Sequence, residues 1–200
     1  MRISLILAVG FLAALPSRGR AQGAWGLSAE AGLVRYWGAS GPLAGSEDIA
    51  VRPHRPTVFG IRVERAFGEV RAAIALRLAQ VPIAGEFEGG AAIVDDGFTL
   101  LELNPEGSLP VLRLGTGAGL WVFAGPTVSF WALSDEPTRT RIGGRAGLEL
   151  DSRLTTRLSA VTRLFGGISA SAFSAEEIPP GYEVRSMPSA GVSLGLRLRL

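Results

Sequence analysis

The chain has no cysteine, no lysine and a single histidine. Without thiols it can form neither a disulfide nor a thiolate metal centre, and it cannot carry a lipid anchor on an N-terminal cysteine. One imidazole excludes a zinc site built on two or three histidines. With lysine absent, all positive charge rests on arginine, which stays ionised and pairs bidentately with carboxylates. The chain also lacks long apolar runs. After residue 21 no uninterrupted stretch reaches the ~18 residues of a membrane-crossing helix. A sequence that is 47% hydrophobic with 27 glycines must bury its apolar surface in some other way.

The first 21 residues read as an export signal, to be subtracted from the fold. Arg2 supplies a positive start, Ile3–Leu15 a short apolar run that Pro16 ends, and Gly19-Arg20-Ala21 small residues before a cleavage point. Removing Arg2, Arg18 and Arg20 leaves 17 arginines against 18 acids, a net of −1. The apparent basicity therefore disappears, and with it the case for a nucleic-acid partner.

What remains alternates. Val192, Leu194, Leu196, Leu198 and Leu200 share one parity of the final segment, with Ser193, Gly195, Arg197 and Arg199 on the other. A strand sends successive side chains to opposite faces, so this segment has an apolar face and a polar one. The same period marks Ala24–Gly38, Thr57–Gly68, a third segment from Val70, then Thr140–Asp151 and Leu154–Phe165. Phe98–Leu114 and Leu120–Leu133 complete eight segments. Asn104-Pro105-Glu106-Gly107 predicts a bulge or break in the first of these two. The facing of the second is open, because Trp121, Phe123 and Trp131 lie on the parity opposite Leu120, Val122 and Val128.

Long connections rich in Gly, Pro and Ser (39–56, 82–97 and 166–184, with a shorter one at 134–139) alternate with brief turns at Gly68-Glu69, Gly115–Gly119 and Asp151–Arg153. That rhythm predicts an up-and-down antiparallel barrel over residues 22–200, with long loops at one end and turns at the other.

Lipid rather than water outside is favoured by segment length, since a tilted strand needs ~9–11 residues to cross a bilayer. The polar parity mixes small residues with Arg and Glu, which suits a narrow lumen. Trp25 and Trp37 share the apolar parity twelve residues apart, the spacing of two interfacial aromatic girdles.

On these residues, and on the segment Trp121-Val122-Phe123-Ala124-Gly125-Pro126-Thr127-Val128-Ser129-Phe130, the chain resembles the small outer-membrane β-barrel proteins of the eight-stranded OmpA/OmpX type. The resemblance implies an all-β transmembrane barrel in the outer membrane of a Gram-negative cell. It implies contact with outer-membrane lipid and lipopolysaccharide, and recognition of the terminal strand by the barrel-assembly machinery. Such terminal signals usually end in Phe or Trp, and this one ends in Leu200.

Candidate functional residues are few. The inward parity is expected to carry Arg62, Arg71, Arg77, Arg145, Arg157, Arg163, Arg197 and Arg199 against Glu30, Glu64 and Glu149, with Glu102 a further candidate. This set reads either as an ion-paired plug or as a narrow pore whose surplus positive charge attracts anions. Eleven acids fall in the long connections, among them Glu176 and Glu183, as a solvated surface or a divalent-cation bridge to lipopolysaccharide. His54, with Ser40 or Ser46, is the residue an outer-membrane lipid hydrolase would need as a base. Gly115-Thr116-Gly117-Ala118-Gly119 has a phosphate-loop look, but a strand follows it where such loops open onto a helix, so it reads as a turn. The first reading is a monomeric, non-enzymatic, cofactor-free membrane barrel with a structural or surface-interaction role. The alternatives are the anion pore, the lipid hydrolase, and a soluble lipocalin-like barrel with Leu194, Leu196 and Leu198 turned inward.

Overall fold

The computed structural model describes residues 25–42, 50–87, 90–115, 117–132, 137–177 and 181–200. The expected signal segment lies outside them. The elements, in chain order, are β1 (Trp25–Tyr36), β2 (Ser40–Pro42), β3 (Ala50–Pro53), β4 (Thr57–Phe67), β5 (Val70–Phe87), β6 (Gly90–Leu114), β7 (Ala118–Ala132), β8 (Arg139–Arg153), β9 (Leu158–Ser169), β10 (Tyr182–Val184) and β11 (Met187–Arg199), with a short 3-10 turn at Ala175–Glu177. Eight strands close a ring in the order β1-β4-β5-β6-β7-β8-β9-β11, every neighbour antiparallel. The two ends of the ring meet where β1 pairs with β11 without interruption from Gly26↔Arg199 to Tyr36↔Ser189.

The facing follows from the period-two pattern. Leu194 is 63% exposed on the outer wall while Arg197 is 1% exposed within it. Leu27, Phe59, Ile61, Leu78, Ile142 and Leu164 share the outward face, so an aliphatic belt girds the barrel. This orientation overturns the lipocalin-like alternative, which requires those leucines around a pocket. Around β7 the open facing resolves: Phe123 and Trp131 are buried in the lumen, and Val122 is exposed outside.

Three stretches differ from the sequence reading. Residues 82–97 are mostly strand rather than loop: β5 and β6 continue past the barrel as a hairpin from Ile83↔Val94 to Phe87↔Gly90. A register shift between Val81 and Ile83, where Pro82 cannot donate to the ladder, re-aims this extension. The strand β3 pairs along its flank through Val51↔Gly85 and Arg52↔Ala84. At the other end Asp151–Arg153 belongs to β8, and the turn comes later, at 154–157.

Pro105 does not break β6. The strand runs through it, paired with Ile74 on β5. Its effect appears on the other side, where the β6–β7 ladder holds at Leu103↔Val128 and Gly107↔Ala124 and pairs nothing between. In that register Pro105 faces Pro126, and neither has an N–H to give. Outside this gap lies an apolar groove of 450 Å³ bordered by Ile74, Leu103, Pro105 and Pro126.

Candidate functional site

An eight-stranded barrel has an interior just wide enough to be filled by side chains. Here the filling is in two storeys. From the turn end to mid-barrel, among the described residues, seven arginines (62, 71, 77, 145, 163, 197, 199) face six carboxylates: Glu30, Glu64, Glu102, Glu106, Glu149 and Asp151. The surplus of positive charge expected from the sequence thus shrinks to one. Glu106 and Asp151 supply the difference, one from the proline-bearing stretch of β6 and the other from residues read as a turn. Arg157 is the converse correction. It lies exposed in the 154–157 turn, because β9 begins only at Leu158.

Glu149 on β8 is the hub. It is 0% exposed and is reached by Arg62 from β4 at 2.8 Å, by Arg71 from β5 at 3.1 Å, by Arg163 from β9 at 3.5 Å, and by Arg197 from β11. In the ring order β4 and β8 are diametrically opposed, so the Arg62–Glu149 pair is a strut across the lumen. Arg62 also meets Glu64 at 3.1 Å and Glu30 at 3.4 Å. Arg163 spans from β9 to Glu106 on β6. Arg197 holds Glu64 at 3.0 Å and Asp151 at 2.6 Å. One level higher Arg145 donates to Glu102 at 2.8 Å and to the Asn104 side-chain oxygen at 3.1 Å, while Thr127 donates to that same oxygen at 2.9 Å. Charges taken out of water in this way are costly unless fully paired. Five of the six carboxylates meet that demand with two or more arginine partners, and Glu102 meets it with Arg145.

Aromatic rings separate the guanidinium groups. Arg163 lies over Phe123 at 3.7 Å and Arg71 over Trp121 at 3.4 Å. Phe165 sits between Arg77 and Arg145, each 4.6 Å from its centroid. Such stacking on ring faces is favourable for desolvated cations. Glycine makes the room: a Cβ on Gly191 would come within 2.5 Å of the Phe165 ring, and one on Gly147 within 2.8 Å of Phe123.

Above this level the lumen turns apolar, which the reading of a polar interior missed. Tyr36 and Phe98 meet Trp131 edge-on at 5.8 and 5.6 Å, and Phe98 meets Phe173 at 5.7 Å. Val34, Val58, Leu100 and Met187 belong to the same cluster. Phe173 comes from the segment after β9, which is tied down by two arginines at the loop end. Arg139 donates to the Ala172 carbonyl at 3.2 Å, and Arg141 donates to the carbonyls of Ser171 and Phe173. The parity of Trp121, Phe123 and Trp131 was the available signal, obscured by the expectation that inward residues are small and polar.

The remaining candidates are placed as follows. Trp25 and Trp37 both project outward at opposite ends of β1, each beneath a guanidinium at 5.3 Å, from Arg65 and Arg35. Val192, Leu194, Leu196, Leu198 and Leu200 are all exposed on the outer face. His54 donates its backbone N–H to Pro82, and its Nδ1 is buried without a hydrogen-bond partner among the described residues. Ser40 is buried and Ser46 lies outside the described residues. Of the loop acids, Glu183 is exposed and paired with Arg185 at 2.9 Å, Glu176 is exposed, and the side chains of the other nine lie outside the described residues.

The barrel fold has counterparts among solved structures. The crystal structure of Neisserial surface protein A superposes with a TM-score of 0.58 at 11% identity, covering 88% of this chain and 97% of the other. The outer-membrane protein OprG of Pseudomonas aeruginosa gives 0.56 at 11% identity, with 91% and 98% covered. The outer-membrane protein AlkL, solved in lipid bilayers, gives 0.52 at 11% identity, with 93% and 94% covered. The fold is that of a small eight-stranded outer-membrane β-barrel. No protein-family model and no curated protein matches the chain in sequence. At this identity the likeness concerns the outer-membrane barrel fold alone. The storeys of the lumen belong to this chain's own residues.

Proposed function

We propose that the protein is an integral, monomeric outer-membrane barrel with a closed interior, whose role is carried by its outer surface and by the structured loop end rather than by passage through the lumen. The observation that carries this reading is the burial of the lumenal charges. In a water-filled pore the arginine and glutamate side chains would be solvated, whereas Arg62, Arg163 and Arg197 are at most 1% exposed and Glu149 is 0%. Two cavities beside Arg77 and Arg145 are each 10 Å³, room for about one water. The aromatic cluster above them adds a second, apolar seal.

The outward belt and the Trp25 and Trp37 pair support lipid contact with an interface at each end. The β5–β6 hairpin and β3 stand beyond the belt and, with the β2–β10 pair (Gly41↔Glu183), form a strand-paired platform at the loop end. Presentation of that platform to partners, including lipopolysaccharide, is the surface-interaction role we assign, and β11 is the segment offered to the assembly machinery.

Reconstitution tests both parts. Refolded into phospholipid vesicles, the protein should migrate differently on gels before and after boiling. Brominated lipid should quench Trp25 and Trp37, with Trp121 and Trp131 protected. In planar bilayers it should show no steady current. A stable, anion-selective conductance would overturn the closed-lumen reading in favour of the pore, and full solubility without detergent would overturn the membrane reading.

A further inference from the structure

The turn end of the barrel holds a pocket that the lumenal network does not saturate. It is a concavity of 170 Å³ lined by Arg71, Arg113, Arg153, Arg199, Asp151 and Trp121, with the glycine-rich β6–β7 turn forming one wall. Four guanidinium groups therefore face one carboxylate. That carboxylate is already shared: Asp151 accepts from Arg197 at 2.6 Å and from Arg71 at 3.2 Å, and is 3.4 Å from Arg199. Among the described residues Arg113 is held by Glu69 alone, at 2.7 Å, in a largely exposed pair. Arg153 is exposed and has no carboxylate within ion-pair range among the described residues.

We propose that this pocket binds a phosphate-bearing anion, of the phosphomonoester or pyrophosphate class, presented by a free solute or by a lipid headgroup. Arginine forks match the spacing of phosphate oxygens and grip them bidentately. Arg113 is shared with Glu69 and Arg71 with Glu149, yet the lining sets four guanidinium groups against one carboxylate and leaves Arg153 without an ion-pair partner among the described residues, an excess that favours a multiply charged anion over a carboxylate. The wall is open to backbone approach. Gly115 turns at φ +65°, and neither Gly115 nor Gly117 has an atom within 4 Å of where a side chain would begin. Trp121 is pinned under Arg71, and its indole N–H lies beside Gly119, adding a neutral donor at the floor. The glycine run is a turn, as its sequence setting implies. Its contribution is to let an anion reach the arginines, without any helix N-terminus. The proposal is independent of whether the lumen conducts.

The test is titration of the protein, refolded in zwitterionic micelles, with inorganic pyrophosphate at constant ionic strength, read by calorimetry and by tryptophan fluorescence. Saturable binding is expected. The double variant R113Q/R153Q, both outside the lumenal network, should weaken it by about tenfold or more, each lost charge-assisted contact being worth at least about that factor. The variant R185Q at the opposite end should leave it unchanged. Retained boiling-dependent gel mobility checks the fold, and R153Q alone replaces the double variant if the latter does not refold. Absence of saturable binding, equal affinity in R113Q/R153Q, or an equal loss in R185Q would each overturn the proposal. Repeating the titration in phosphatidylcholine vesicles with and without phosphatidic acid, a phosphomonoester lipid, separates the sources. Competition by the anionic lipid names the headgroup, and an unchanged affinity names a free solute.

Discussion

Glu149 concentrates the electrostatics of the lumen in one carboxylate. Four arginines converge on it from four different strands, and three of them, Arg62, Arg163 and Arg197, are at most 1% exposed at that depth. Neutralising it without changing its shape leaves buried cations unpaired, which costs about 3–5 kcal/mol. The variant Glu149→Gln should therefore lower the urea midpoint of unfolding in vesicles by a corresponding amount. A shift below about 1 kcal/mol would mean that water reaches the guanidinium groups and pairs them instead. Glu102 offers the complementary experiment, because its described ion pair is with Arg145 alone. Glu102→Leu should destabilise by about 3–5 kcal/mol, whereas Glu102→Leu with Arg145→Met should recover most of that loss. Equal losses in the single and double variants would show that the pair has no special coupling.

At the scale of the strand, β11 separates two environments residue by residue. Leu194 is mid-strand and faces outward, while Leu200 ends the chain beside Trp25, to whose carbonyl it donates its N–H at 2.8 Å. If hydrocarbon surrounds the belt, Leu194→Arg should cost about 2–4 kcal/mol and Leu200→Arg about 0–1. Unfolding titrations of the two variants in the same vesicles measure the gradient, and equal costs would argue against a bilayer around the strand. This facing was legible because period two leaves no other way to segregate five aliphatics from Arg197 and Arg199. The facing of β7 was not, because its lumenal residues Phe123 and Trp131 are as hydrophobic as its outward ones. Only closure of the ring, which puts Phe123 against Arg163, distinguishes them. The β5–β6 extension escaped for a related reason. Gly, Pro and acidic residues between Pro82 and Gly97 are turn formers by composition, yet two such segments paired with each other satisfy their backbone groups as strands.

For the whole molecule, the sequence announced the number of strands, their alternating connections and most of the lumenal arginines. It could not announce the struts. The partners of Glu149 lie 14 to 87 residues away along the chain, and which arginine reaches which carboxylate depends on how far each strand is staggered around the ring. Asp151 and Glu106 were hidden by a boundary error of a few residues and by a proline that interrupts only one of its two ladders.

That proline has a mechanical meaning. A hoop under load parts at its weakest stave, and this one is laced without a gap where its first and last strands are joined. Between β6 and β7 the opposed rings of Pro105 and Pro126 leave a stretch with no backbone stitches, bridged by the Thr127–Asn104 side-chain bond. Deuterium should enter the amides flanking that stretch before it enters the terminal join, and a spreading force on the rim should unzip the cylinder there first.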